Sequence, residues 1–169
     1  LVGTEPSAAI GNEGLAVVAL FLLMGSFATA AGVSADMYRL AYALVGHFRG
    51  GLAMATIGGC AGFGAICGSS IATTATMAKI ALPEMLQRNY LQTLASGSIA
   101  AGGTLGMLVP PSVVMIIYGI LTEESIIALF AAAIFPGLIA TVLYCFTIGI
   151  YVRLFPESGP AGDRIAWWD

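Results

Sequence analysis

Four stretches of the chain are long and apolar enough to meet a bilayer, and short polar segments separate them. Residues 14–35 form an almost unbroken apolar run of about 22 residues, roughly 33 Å as a helix, which matches the hydrocarbon thickness of a membrane. The pattern then changes over residues 36–49. Met37, Leu40, Ala41, Leu44, Val45 and Phe48 recur at helical spacing, with Arg39, His47 and Arg49 among them. Such a mixed segment is expected to lie at the interface rather than to cross.

Residues 50–82 are apolar for about 33 residues, too long for one comfortable crossing. They carry Gly58, Gly59, Gly62 and Gly64, then Gly68-Ser69-Ser70 near the middle. Two helical arms meeting at a Gly-Ser-Ser tip predict a re-entrant hairpin, because irregular backbone at membrane depth survives only where protein or a watery cavity satisfies it. Two full spans joined by a tight turn fit the same letters. After the polar run Pro83 to Asn89, residues 90–121 are again apolar and are interrupted by Pro110-Pro111-Ser112. Pro111 has no N–H to donate, and it pushes Pro110 out of the helical region, so the helix must break there. A last crossing falls within residues 125–155 and ends at Pro156-Glu157-Ser158-Gly159-Pro160.

The expected fold is therefore an all-α membrane protein divided as follows. Residues 1–35 form a periplasmic loop and a transmembrane helix, 36–49 an interfacial cytoplasmic arm, and 50–89 the re-entrant hairpin. Residues 90–122 form the Pro-broken transmembrane helix, 123–155 a further transmembrane helix, and 156–169 a cytoplasmic loop. With both hairpin ends on one side, Arg39, Arg49, Lys79, Arg88, Arg153 and Arg164 all fall on that side. These are all of the 6 Lys and Arg residues, so the positive-inside bias assigns that side to the cytoplasm. Exchanging the hairpin for two full spans leaves this parity unchanged. The opposite side receives Thr4-Glu5, Glu13 and the Thr122-Glu123-Glu124-Ser125 loop.

Composition narrows the function. Charged residues make up 9% and hydrophobic residues 59% of the chain, and the mean hydropathy is +0.94, whereas a soluble domain has about a quarter charged residues. A net charge of −3 offers no basic field for nucleic acid. Cys60, Cys67 and Cys145 lie in apolar runs without zinc or disulfide spacing and read as small buried hydrophobes. No nucleophile with a neighbouring base, metal-spaced His/Cys cluster or phosphate loop is present, so no enzyme activity and no covalent cofactor are expected. His47 reads as a headgroup or capping contact. Met24, Met54, Met77 and Met107 read as fillers of irregular helix gaps.

The Gly-Ser-Ser tip and the Pro-Pro-Ser break would both free backbone carbonyls and hydroxyls within the membrane. Secondary transporters build cation and anion sites from such parts, carbonyls meeting the ion and half-helix N-termini meeting the anion. Ser69, Ser70 and Thr73 add oxygens suited to sodium without a buried charge. The central parts of the apolar blocks hold no Asp or Glu, so sodium coupling is expected over a carboxylate proton relay. The plainer alternative is that the small residues serve close helix packing and the serines bond back to the backbone.

An ordered set of strings carries a family resemblance: Gly50-Gly51-Leu52-Ala53; Phe63-Gly64-Ala65-Ile66-Cys67-Gly68-Ser69-Ser70; Pro83-Glu84-Met85; and Gly103-Thr104-Leu105-Gly106-Met107-Leu108-Val109-Pro110-Pro111-Ser112. Ile117-Tyr118-Gly119, Ser125-Ile126, Leu129-Phe130 and Pro136-Gly137-Leu138 follow in order. The chain resembles the large membrane subunit of tripartite ATP-independent periplasmic (TRAP) transporters. The resemblance implies one half of an inverted-repeat, elevator-type permease in the bacterial inner membrane, driven by sodium as the coupling ion. It implies uptake of an organic acid such as a C4-dicarboxylate or sialic acid, delivered by a periplasmic substrate-binding protein and supported by a small membrane subunit. Carried over by motif, Gly68, Ser69, Ser70, Gly106 and Pro110 would hold sodium, and Ser69, Ser70, Pro111 and Ser112 would face the substrate. A binding-protein-independent divalent-anion/sodium symporter and a non-transporting membrane scaffold are the alternatives. Leu1 is not an initiator methionine, and a second hairpin and broken helix are missing here, so the chain is expected to be an excerpt. The full reading frame is predicted to contain an inverted second copy of the hairpin and broken-helix pattern; sequencing that finds none would remove the elevator reading.

Overall fold

Gly32 divides the first apolar run. In the computed structural model, which describes residues 13–160, helix α1 (Glu13–Ala30) ends where Gly32 takes φ +78°, and α2 (Val33–Val45) departs at 66°. The left-handed region is open to glycine at little cost and closes helices. The expected crossing through residue 35 is corrected accordingly: the run is one stretch by hydropathy but two helices by backbone, and the arm begins at Val33. Thr4-Glu5 and Arg164 lie outside the described residues.

The chain continues through α3 (Gly51–Cys67), α4 (Ser70–Gln87), α5 (Gln92–Leu108), α6 (Val113–Thr122) and α7 (Ile126–Leu154), then a 3-10 turn at Pro156–Ser158. The described residues form no strand. By length and composition, Gln92–Thr122 and Ile126–Leu154 are each able to cross a membrane, and the bent α1–α2 pair makes a third candidate. This is an all-α membrane protein.

Helix α3 is the centre of the packing. It runs beside α2, α4 and α5, and Leu52, Ile57, Cys60 and Phe63 on it are fully buried. Its glycines are divided between two neighbours. Gly58, Gly59 and Gly62 admit α2, whose Ala41, Tyr38 and Met37 would each stand 3.2 Å from an added Cβ. Gly64 admits α5: a Cβ there would lie 2.6 Å from the Gly106 Cα, backbone against backbone. Close approach through small residues is the main attraction between helices in lipid, where apolar burial alone gives little.

The arm packs only part of the stripe its apolar letters suggest: Met37, Ala41 and Val45 face the core. Ser34, Tyr38 and Tyr42 carry the burial, while Leu40 and Leu44 stay 52% and 56% exposed. At Tyr42 the hydroxyl finds a partner at the hairpin base: Arg88 Nη1 donates to Tyr42 Oη at 2.8 Å, with Glu84 3.6 Å from the same guanidinium, whereas the buried Tyr38 Oη has no partner.

Helix α4 extends beyond the apolar run, through Pro83 to Gln87. Its base is fastened to the rest of the chain. Gly50 N–H donates to Gly159 O (3.2 Å) and Leu91 N–H to Ser158 O (3.1 Å). Tyr90 accepts from Leu52 N–H at 3.3 Å and donates to Pro160 O at 2.9 Å. Burial raises the Tyr90 phenol above its ordinary pKa, so it remains a donor. The turns carrying Arg49 and Arg88 and the end of α7 carrying Arg153 thus lie together.

The packing makes a paired prediction. Gly64→Ala is expected to destabilise the protein by about 1–3 kcal/mol through overpacking. Gly97→Ala, with open space around the added methyl, is expected to be neutral or to stabilise by up to about 1 kcal/mol. Thermal unfolding of the two variants of the intact protein in detergent reads the difference.

Candidate functional site

The α3–α4 turn and the α5–α6 break meet. Gly68 closes α3 at φ +62°, and Ser69 opens α4 as its N-cap, its hydroxyl accepting from Ala72 N–H at 3.4 Å. Opposite them, Val109 to Ser112 separate α5 from α6, with a cis bond between Pro110 and Pro111. Val113 N–H donates to Gly68 O at 3.2 Å, and a Cβ on Gly68 would lie 3.0 Å from Pro111 O. One step back, Gly106 faces the tip: an added Cβ there would lie 2.7 Å from Thr73 Oγ1 and 3.0 Å from Ser69 O.

The two prolines explain why this junction is chemically open. Each stands four residues after a helical carbonyl, Pro110 after Gly106 and Pro111 after Met107. Neither has an N–H, so those carbonyls lose their helical partner. Two side-chain oxygens join them. Thr73 Oγ1 and Ser112 Oγ are fully buried and have no hydrogen-bond partner in the structure. Buried hydroxyls are ordinarily satisfied, and leaving one unpaired costs about 1–3 kcal/mol.

Four helix ends converge here. The carbonyl ends of α3 and α5 bring negative partial charge, and the amide ends of α4 and α6 bring positive partial charge. The residues of the tip and break, Gly68 to Ser70 and Pro110 to Ser112, include no ionisable side chain. Among the described residues no group of three His, Cys, Asp or Glu gathers. Such an arrangement suits a hard cation at the oxygens and an anion at the amide ends, without a buried formal charge.

The residues singled out in the sequence separate into groups. Gly68, Ser69, Gly106, Pro111 and Ser112 come together at the junction, and Pro110 acts in the break through the donor it lacks. Ser70 lies differently. Its carbonyl accepts from Thr74 Oγ1 at 2.7 Å, and it lines a groove of about 470 Å³ between α4 and α5 with Thr74, Gly103 and Thr104. Helix α1 is the participant the sequence pattern did not indicate. Phe21 Cε1 stands 2.7 Å from the Cβ position of Gly68, and Cys67 Sγ 3.2 Å from that of Gly25. A glycine and an aromatic within a uniformly apolar span carry no local signal of what they touch.

Comparison with known proteins places this junction in a family. Residues 2–161 match the family profile described as "Tripartite ATP-independent periplasmic transporter, DctM component". The C4-dicarboxylate TRAP transporter large permease protein of Pseudomonas aeruginosa is 41% identical over 152 residues, covering 90% of this chain and 35% of that protein. The protein of the same name from Vibrio cholerae is 37% identical over 157 residues, covering 93% and 34%. The ectoine/5-hydroxyectoine TRAP transporter large permease protein of Ruegeria pomeroyi is 34% identical over 160 residues, covering 95% and 37%. The chain spans about a third of the length of these curated relatives. With a profile match that runs through both the hairpin tip and the broken helix, the chain belongs to the DctM component family of tripartite ATP-independent periplasmic transporters.

Proposed function

We propose that this chain supplies the first hairpin and broken helix of a sodium-coupled permease that takes up an organic acid across the bacterial inner membrane. The observation that carries the reading is the pair of buried, unpartnered hydroxyls, Thr73 Oγ1 and Ser112 Oγ, beside carbonyls that Pro110 and Pro111 deprive of their donors. The glycines of α3 are accounted for by packing. These oxygens are not, and a monovalent cation would satisfy them.

Sodium would be held by backbone carbonyls around Gly68, Ser69 and Gly106 together with Thr73. The substrate carboxylate would be met by the free amide ends of α4 and α6 near Ser69, Ser70 and Ser112, since anions are favoured at helix N-termini. Relatives named for C4-dicarboxylates, for ectoine and for isethionate are consistent with an anionic group, carboxylate or sulfonate, as the shared element. The remaining chain of the same large subunit would complete the substrate site, a small membrane subunit would support it, and a periplasmic substrate-binding protein would deliver the acid. The basic end carrying Arg49, Arg88 and Arg153 would be cytoplasmic.

Geometry supports the re-entrant reading of the hairpin. Its base adjoins the start of α5 and its tip adjoins the end of α5, so it follows α5 for 17 residues, about 26 Å. The 10 residues of α6 continue past it for about 15 Å more. A tip that stops against the break of a crossing helix would lie within the membrane.

Two measurements test the proposal. In proteoliposomes holding the intact permease, its small subunit and the binding protein, an inward sodium gradient is expected to drive uptake of labelled C4-dicarboxylate. Ser69→Ala and Ser70→Leu are each expected to reduce that uptake about tenfold or more, equivalent to ~1.4 kcal/mol of lost interaction. Wild-type uptake in both variants would sink the site assignment. The second measurement is thermal stability with and without sodium, since a ligand bound by the folded state raises it. Wild-type protein is expected to gain stability on adding sodium. Thr73→Val is expected to lose that gain while keeping or improving its sodium-free stability, because it removes an unsatisfied buried hydroxyl.

A further inference from the structure

One stripe on α7 departs from the helix's apolar surface. Phe146, Gly149, Ile150 and Arg153 fall at i, i+3, i+4 and i+7 and therefore share one face. Gly149 makes a notch in that face, with Met54 Cε 3.3 Å from where a Cβ would stand. Phe48, from the turn between α2 and α3, lines the notch as well. Together with Cys145 these six residues line a groove of about 300 Å³. Its apolar walls are open, with Phe48 53% and Phe146 64% exposed, and its one charge is the Arg153 guanidinium.

Among the described residues that cation forms no ion pair: Arg153 takes part in neither Arg39–Asp36 nor Arg88–Glu84. Arg49, exposed and adjacent to Phe48 in the chain, is likewise unpaired among them. The groove is thus an apolar slot along a membrane-crossing helix, with cations at the end where that helix leaves the membrane.

We propose that this groove binds an anionic phospholipid, an acyl chain lying over Gly149 between Phe48 and Ile150 and the phosphate meeting Arg153. Charge complementarity selects the occupant. A free phosphate would leave the apolar slot bare, and a zwitterionic lipid would gain less from unpaired arginines. Basic side chains at the edge of a membrane span attract anionic headgroups, and long arginine stems extend toward that level. The site requires only that α7 crosses the bilayer, so it stands apart from the transport reading.

Native mass spectrometry of the intact permease, equilibrated with equal amounts of phosphatidylglycerol and phosphatidylcholine in detergent, tests it. Arg153→Gln is expected to lower retained phosphatidylglycerol about fivefold and leave phosphatidylcholine unchanged, and Arg153→Lys to restore most of the difference. Arg153 is exposed, so the substitutions leave the packing intact. Wild-type phosphatidylglycerol retention in Arg153→Gln, or an equal loss of both lipids, would overturn the proposal. A photoreactive benzoylphenylalanine in place of Phe146 is expected to capture lipid. Capture of another segment of the permease or of its small subunit would show that protein covers the groove and would overturn it as well.

Discussion

The absence of water inside a bilayer means that every backbone donor and acceptor there must find a partner within the protein. Among the described residues that constraint is strained most plainly at the α5–α6 break. Pro110 and Pro111 withdraw two consecutive N–H groups from the middle of a long apolar stretch, and the hairpin tip is what comes to meet the gap. Val113 N–H, two residues after Pro111, is taken by Gly68 O. Gly68 reaches it because it adopts φ +62°, and Gly106 allows Thr73 and the Ser69 carbonyl to come close. The break and the tip therefore explain one another, each meeting groups that the other leaves open.

Close approach of helices follows from the same demand. To bring the tip to the break, α3 must lie directly on α5, which the Gly64–Gly106 contact permits. On its other side α3 must receive the arm, and three more glycines on it do so. Large side chains are sent outward instead. Ile127, Phe135 and Leu138 of α7 remain 81%, 74% and 63% exposed, a surface that only a bilayer or further protein could cover at this size.

Much of this was legible in the letters, and the reasons differ by element. Prolines act through the atoms they lack, so Pro110-Pro111 announces the break whatever surrounds it. The Gly-Ser-Ser tip is legible because a glycine followed by a serine N-cap stops one helix and starts another. What sequence could not supply was direction. Gly32 sits in a run of apolar residues as uniform as its neighbours, and only its left-handed backbone reveals the bend there. The arm's apolar letters pointed to Leu40 and Leu44, yet Tyr42 is buried with its hydroxyl on Arg88, 46 residues away. The arrival of Phe21 beside Gly68 is likewise a long-range event with no local trace. Ser70, adjacent to Ser69, seemed equivalent to it, but one residue of helical rotation turns it toward a different groove.

The two ends of the hairpin are fastened unequally. At the base, the backbone bonds of Gly50 and Leu91 and the two bonds of Tyr90 stitch three separate turns into one block. At the tip, a backbone bond from Val113 is joined by the side-chain packing of Phe21. The base is held by hydrogen bonds between separate turns, and the tip chiefly by close packing around Gly68 and Gly106. The region that carries the open oxygens is thus held by shape more than by hydrogen bonds, while the base ties the hairpin to the segment that follows α7.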